Sequence, residues 1–361
     1  TDFTILIIAH YWISTITILQ KIYEKYDWKL LFINMGKVGH VFLMTWTLLL
    51  MCMSQAGRVK RQYPCILKRV DMLGCSTFMD LIHNTQFVFK ALGAPGPLTL
   101  FVPSNEAFAA LPDTTMDKLR SNVTYLTEIF SYHVVPTNAY FSRDFKTDVT
   151  YKTLLEPRRV RMYVYPRTKK QFYVTGSKLT SWDNDATNGV VHVIDEVMFK
   201  IPKENLQERI DDKHENSKAN FSKLSELLTM AGPKLQTYLA DDSPKTMFAP
   251  TNTAIERLPP GALYYWQHNK TALQEVLKYH VVKTTLLYVG LLSGSLETVE
   301  GSRINITQST SRGVILNANS KPERGYNSAF LTFRNITVTN GVIHGIDSML
   351  LPSPVPQRYV P

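Results

Sequence analysis

Cysteine is scarce in this chain, which has three in 361 residues, and no two stand as Cys-x-x-Cys. That leaves no thiol cluster of the kind that holds structural zinc or iron–sulfur centres. The chain also lacks Gly-x-Gly-x-x-Gly, a P-loop, His-Glu-x-x-His and a Gly-x-Ser-x-Gly elbow. The usual sequence signatures of dinucleotide binding, phosphate cradling, zinc proteolysis and serine hydrolysis are therefore missing. Arg-Gly-Asp does not occur. Acidic residues are the minority, 30 against 40 Lys and Arg, a formal charge of +10. Residues 1–61 hold seven basic and three acidic residues, so 33 minus 27 leaves +6 for the remainder, a mild bias that favours polyanions without identifying one. With 44% hydrophobic and 19% charged residues, the chain is long enough for two ordinary domains and is neither disordered nor wholly membrane-embedded.

The amino-terminal part is composite. From Met35 it reads "MGKVGH", then the 13-residue apolar run Val41–Met53, then "SQA". This is the layout of a secretory signal peptide over 35–56, and the run is too short to span a bilayer. Arg58–Arg61, "RVKR", is a dibasic processing site within a short pro-segment, 57–61, so the mature chain is expected to start near Gln62, or at Gly57 after signal cleavage alone. Residues 1–34 fit this layout poorly and read as translated upstream sequence, with a second membrane segment as the alternative. Cys52 is discarded with the signal, leaving Cys65 and Cys75 as a candidate disulfide pair in an oxidising compartment. Five Asn-x-Ser/Thr sequons, at Asn122, Asn220, Asn269, Asn305 and Asn335, are candidate glycosylation sites.

What is present is a duplication. Residues 98–135 align with 245–282 at a constant offset of 147, with 15 of 38 positions identical and the sequons Asn122 and Asn269 coinciding. "NGVVHVID" from Asn188 returns as "NGVIHGID" from Asn340, at an offset of 152. A repeat of about 150 residues means two domains rather than a solenoid. They are expected at 73–200 and 218–352, with a polar linker or solvated helix at 201–217 and a tail at 353–361. Each copy opens with helical periodicity, passes through a short β-rich run ending in proline, and restarts as helix with Ser104 or Thr251 as N-cap. A further helix carries each aligned sequon, and alternating apolar and polar strands follow. Helices followed by an antiparallel sheet make an α+β fold. In the closing phrase Asn-Gly is read as a hairpin turn, after which His192 lies on one strand face with Val190 and Ile194, while Asp195 lies on the other. His344 and Asp347 repeat the arrangement.

Three ordered blocks in both copies resemble the fasciclin-like domain family: "TLFVPSNEAFAALP" and "TMFAPTNTAIERLP", then "YHVV" twice, then the two closing phrases. The resemblance covers 73–352. It implies a compact wedge of β-strands with helices packed around it, repeated in tandem, in a secreted adhesion protein of the extracellular matrix. It further implies no enzymatic activity and no cofactor, with integrin-type receptors and matrix proteins as partners. Receptor binding would involve the tyrosine–histidine block, here Tyr132, His133, Tyr279 and His280. Nucleic acid is not an expected partner, and the tail lacks the apolar segment of a lipid-anchored relative, so no stable membrane anchor is expected in the mature chain.

The repeated histidines are expected to be buried structural residues, with a metal pair in each domain as the alternative. A hydrolytic triad from Ser104, His133 and Asp195 is disfavoured, because Ser104 reads as a cap and the second copy has Thr251 there. One feature belongs to the first copy alone. Arg158, Arg159, Arg161, Arg167, Lys169 and Lys170 crowd 13 residues, where the second copy has two arginines. This cluster is a candidate site for heparan sulfate or a similar polyanion, with a solvated edge strand as the plain alternative.

Overall fold

The computed structural model describes residues 64–165, 170–212, 220–258, 261–317 and 328–352. All of them belong to one compact unit, Tyr63–Pro361. The signal peptide, the dibasic site, residues 1–34, the tail, Arg167 and Lys169 lie outside the described residues. Among the described residues no helix is long and apolar enough to cross a membrane.

Domain 1 begins with three short helices, α1 (Ile66–Met72), α2 (Ser76–Ile82) and α3 (Gln86–Gly93), followed by strand β1 (Leu98–Pro103). Helices α4 (Asn105–Ala109), α5 (Asp113–Ser121) and α6 (Val123–Tyr132) come next, then strands β2 (Val134–Val135), β3 (Thr150–Lys152), β4 (Arg159–Tyr165), β5 (Gln171–Val174), β6 (Ser177–Ala186) and β7 (Gly189–Ile194). Domain 2 repeats the series. Its helices are α7 (Leu206–Asp211), α8 (Ser222–Ala231), α9 (Pro233–Ala240), α10 (Asn252–Glu256), α11 (Ala262–His268) and α12 (Lys270–Tyr279). Strand β8 (Lys245–Pro250) precedes α10, and β9 (Val281–Val282), β10 (Gly294–Glu297), β11 (Arg303–Ser309), β12 (Gly313–Leu316), β13 (Ala329–Val338) and β14 (Gly341–Ile346) follow α12.

Each domain forms one seven-stranded sheet, ordered β2-β1-β7-β6-β5-β4-β3 and β10-β11-β12-β13-β14-β8-β9. The α+β wedge with helices around it is the architecture the sequence blocks imply. The sheet is not wholly antiparallel, however. β1 runs parallel to β7, and β8 to β14. Both strands of each parallel pair are buried along their full length, as parallel strands covered on two faces are. Helices pack on one face and the folded-over strands on the other. In domain 1 Leu100, Val102, Val191 and Val193 join the helical cluster, while Phe101 and Ile194 join the strand cluster. The alternation read from "NGVVHVID" thus serves two cores at once.

Three local expectations change. The expected linker or solvated helix contains α7, which is not solvated all round: its Leu206 and Ile210 are buried in the core of domain 2. It is the counterpart of α1, because Ile66 N–H donates to Asn188 Oδ1 just as Leu206 N–H donates to Asn340 Oδ1. The tight turn before β7 is Thr187–Asn188, one residue earlier than Asn-Gly. Gly189 and Gly341 are needed for a different reason. A Cβ on either would stand 2.0 Å from a carbonyl oxygen of the neighbouring parallel strand. Cys65 and Cys75 are both free thiols, so the expected disulfide is corrected: Cys75 is built into the helical core, while Cys65 is exposed.

Candidate functional sites: the histidine frames, the basic strand and the domain junction

Ser104 and Thr251 cap α4 and α10, each hydroxyl accepting the N–H three residues on at 3.2 Å. That occupies the one serine from which a triad could have been drawn. The sequons Asn122 and Asn269 are themselves N-caps, of α6 and α12, with Oδ1 accepting from Tyr125 and Ala272 N–H. The carbohydrate expected there would leave from the cap and not from mid-helix.

At the far end of α6, His133 is wholly buried. Its Nδ1 faces the carbonyl of Ile129 at 2.7 Å, and its Nε2 faces Met198 N–H at 3.1 Å. A carbonyl only accepts and an N–H only donates, so the ring must be neutral and protonated on Nδ1. His280 repeats this with Val276 O and Leu350 N–H. His192 and His344 use the opposite tautomer. Their Nε2 donates to Tyr140 O and Leu286 O, and their Nδ1 accepts from Asp183 and Asn335 N–H. His192 and His344 also lie against Phe101 and Phe248. Burial pushes all four rings down to about 4. Both nitrogens of every ring are consumed by backbone groups, which leaves no lone pair for a ligand. Among the described residues no three His, Cys, Asp or Glu side chains converge to hold a metal.

The other repeated polar residues act in the same way. Asn188 Nδ2 donates to Leu92 O and Ala94 O, and Asn340 Nδ2 to Leu239 O and Asp241 O. Asp195 accepts Lys178 N–H and Asp347 accepts Phe330 N–H, tying the starts of β6 and β13 to the ends of β7 and β14. Tyr132 and Tyr279 reach across the core to donate to the carbonyls of Arg159 and Arg303. Burial pushes the Tyr132 hydroxyl up to about 12. Tyr132 and His133 are 0% exposed, Tyr279 4% and His280 0%. This corrects the receptor-contact role implied by resemblance: in the folded domain these side chains offer no surface to a partner.

The basic strand also divides. Arg159 is exposed, Lys170 is exposed and Arg158 is half-buried, donating to Lys203 O. Arg161 instead is 7% exposed and turned into domain 2. It donates to Thr339 O at 3.0 Å and to Asp148 O at 3.2 Å, and pairs with the Asp148 carboxylate at 3.8 Å. Arg161 therefore leaves the polyanion candidates. Lys152 takes its place, since it lies directly across from Arg159 on the edge pair β3–β4 and is exposed.

Arg161 marks a junction that sequence reasoning missed. Asp148 accepts from Thr284 Oγ1 at 3.0 Å and from Thr285 N–H at 3.3 Å. Burial raises the Asp148 carboxyl, against the lowering effect of those bonds and of Arg161. Below Arg161 on the same face, Tyr163, Tyr165 and Tyr173 bury against Leu287 and Val342. Tyr165 Oη accepts Leu287 N–H at 2.8 Å, and its ring lies where a Cβ on Gly290 would stand, 2.3 Å away. The available sequence signal was the tyrosine alternation at 163 and 165, absent from the second copy.

The family model described as "Fasciclin domain" matches residues 73–200 and 219–352. Transforming growth factor-beta-induced protein ig-h3 of Sus scrofa is 30% identical over 80% of this chain and 39% of its own length. Human periostin is 29% identical over 73% of this chain and 29% of its own length. The chain thus spans about two fifths or less of these relatives. A solved structure whose title describes a FAS1 domain pair from the insect cell adhesion molecule fasciclin I aligns with 79% of the chain, at 17% identity and a TM-score of 0.38. The two matches together cover more than half of the residues, and on that ground the chain belongs to the fasciclin domain family.

Proposed function

We propose that this chain is a secreted, non-enzymatic adhesion protein of the extracellular matrix, which bridges integrin-type cell-surface receptors and matrix components. The observation that carries the reading is the tandem match of two whole fasciclin domains, a family whose resemblance implies adhesion. The internal chemistry agrees with a scaffold. Each repeated His and Asn directs both of its polar atoms to backbone groups of its own domain, each repeated Tyr hydroxyl donates to a backbone carbonyl, and each repeated Asp gives one oxygen to a backbone N–H. The test is attachment of cells to immobilised residues 62–361. Attachment that is lost on chelating divalent cations and on blocking integrins supports the reading; attachment indifferent to both sinks it.

A second reading, a polyanion-binding module without a receptor role, is favoured by one particular contrast. Lys152 and Arg159 face each other as like charges across β3–β4, whereas at the corresponding place in domain 2 Glu297 faces Arg303. Like charges directly opposite destabilise a strand pair, so an anionic ligand would relieve the first and not the second. Lys152→Glu copies the second domain. It should lower the salt needed to elute the protein from a heparin column. Unchanged elution argues for the solvated-edge alternative.

A further inference from the structure

The face of β4 and β5 that docks domain 1 onto domain 2 has a counterpart in domain 2, and the two can be aligned residue by residue. Tyr132 and Tyr279 donate to Arg159 O and Arg303 O, which equates those two positions. The registers agree: Tyr163 pairs with Tyr173 as Thr307 pairs with Ile315, and Tyr165 pairs with Gln171 as Ser309 pairs with Gly313. Thr175 and Asn317, both at positive φ, then contact the two tyrosine hydroxyls at equivalent points. Where domain 1 presents Arg161, Tyr163, Tyr165 and Tyr173, domain 2 therefore presents Asn305, Thr307, Ser309 and Ile315.

The replacement is chemically specific. Asn305 and Thr307 are the first and third residues of a sequon, and they stand where Arg161 and Tyr163 make the junction in domain 1. Asn305 points outward between Ile304 and Ile306, which are buried at 0% and 4%. The other four sequon asparagines each engage Oδ1 as acceptor from a nearby backbone N–H. The Asn305 side chain has no hydrogen bond with any described residue, although its backbone is held on both sides by Asn317. It is an unencumbered amide on a rigid strand.

We infer that Asn305 carries an N-linked oligosaccharide, and that this oligosaccharide covers the face of domain 2 equivalent to the docking face of domain 1. The second domain is thereby closed to pairing with another fasciclin domain in the way the first pairs with it. The modification needs a lipid-diphosphate-linked oligosaccharide as donor. The Asn305 Nδ2 forms a bond to the sugar C1, the C1–O bond to the diphosphate breaks, the lipid diphosphate departs and Nδ2 gives up one proton. A branched, hydrated glycan rooted at the centre of that face cannot be buried without stripping its water, whereas Arg161 and three tyrosines can be. The inference rests on the secretory reading above.

Two measurements test it on the chain secreted by eukaryotic cells. The first is enzymatic deglycosylation in 18O water, followed by peptide mass spectrometry. The Asn305 peptide should carry the 18O label in most molecules. Asn305 empty with Asn122 occupied overturns the inference and spares secretion; all five sequons empty overturns both. The second measurement transplants the device. Arg161→Asn with Tyr163→Thr builds the same sequon in domain 1, and Arg161→Gln with Tyr163→Thr is its control without a sequon. Small-angle scattering should show the glycosylated double variant more extended than the control. Equal dimensions for wild type, control and double variant, with the new site occupied, would show that a glycan on this face does not exclude docking and would overturn the proposed role.

Discussion

Domain 1 and domain 2 share a plan but agree and differ in different places. They agree wherever a polar side chain serves buried backbone. His133 and His280, His192 and His344, Asn188 and Asn340, Asp195 and Asp347, and Tyr132 and Tyr279 make the same bonds to equivalent groups. They differ at the faces turned outward or toward each other: the tyrosine face against Thr307, Ser309 and Ile315, and Lys152 against Glu297. One difference is internal. Lys245 is fully buried at the position that Leu98 occupies in domain 1, with Nζ held by the Asp241 carboxylate at 2.6 Å and by the carbonyls of Asp241 and Ser243. A buried donor or acceptor left unpaired costs more than a bond contributes, so these interior polar positions tolerate little change, while solvent-facing ones tolerate much.

The largest effect should come from the asparagine pair. Removing the amide orphans Ile66 N–H and the carbonyls of Leu92 and Ala94 in domain 1; in domain 2 it orphans Leu206 N–H and Leu239 O, while Asp241 O keeps Lys245 Nζ. Asn340 is 1% exposed, whereas Asn188 is only half-buried. Asn340→Ala should cost about 3 kcal/mol in chemical denaturation and Asn188→Ala visibly less, because water can reach the groups it abandons. Equal losses would show that the difference in exposure between the two asparagines does not set the cost.

Acid should act on both domains alike at first. Each domain holds two neutral histidines, pushed down to about 4 by burial. The unfolded chain takes up protons below about 6.5 and the folded one does not. Stability is therefore full above that pH and falls steadily as pH drops toward 4, by a few kcal/mol per domain in order of magnitude. Domain 2 should then lose a further increment. Although burial opposes it, the bonds from Lys245 and Ser243 hold the Asp241 carboxyl down to about 2, and that support fades as pH falls from the ordinary carboxylate range. Thermal unfolding from pH 7 to 3, followed with a probe in each domain, checks both parts.

Tyr165→Phe should remove one hydrogen bond across the junction, worth about 1 kcal/mol, without unfolding either domain. Its mark would be earlier proteolytic access to the Tyr288–Gly290 turn. Smallest of all, Lys245→Leu copies domain 1. Removing one partner of a wholly buried pair is costly, but here the Asp241 partner is exposed and turns to water, so a change within about 1 kcal/mol is expected at neutral pH. The same variant should erase the extra acid loss in domain 2; if that loss persists, Asp241 is not its source.

Two features were legible in the chain because they depend on neighbours in sequence. Ser104 and Thr251 cap their helices through the N–H three residues on, a purely local geometry. The period-two pattern of the closing strands put His192 and His344 on the same face as the residues that pack the wedge. The repeat itself announced two domains, and its ordered blocks announced their family. Tertiary structure decided the rest. That β1 lies parallel to β7, and that Gly189 is required by Leu98 O, follow from pairing across about 90 residues, which no local pattern encodes. Whether Arg161 meets solvent or Asp148 and Thr339 is invisible in "RRVRMYVY", since an alternating strand specifies two faces and not what covers each of them. Only the arrival of the second domain turned that arginine, and the tyrosines beside it, from an edge into an interior.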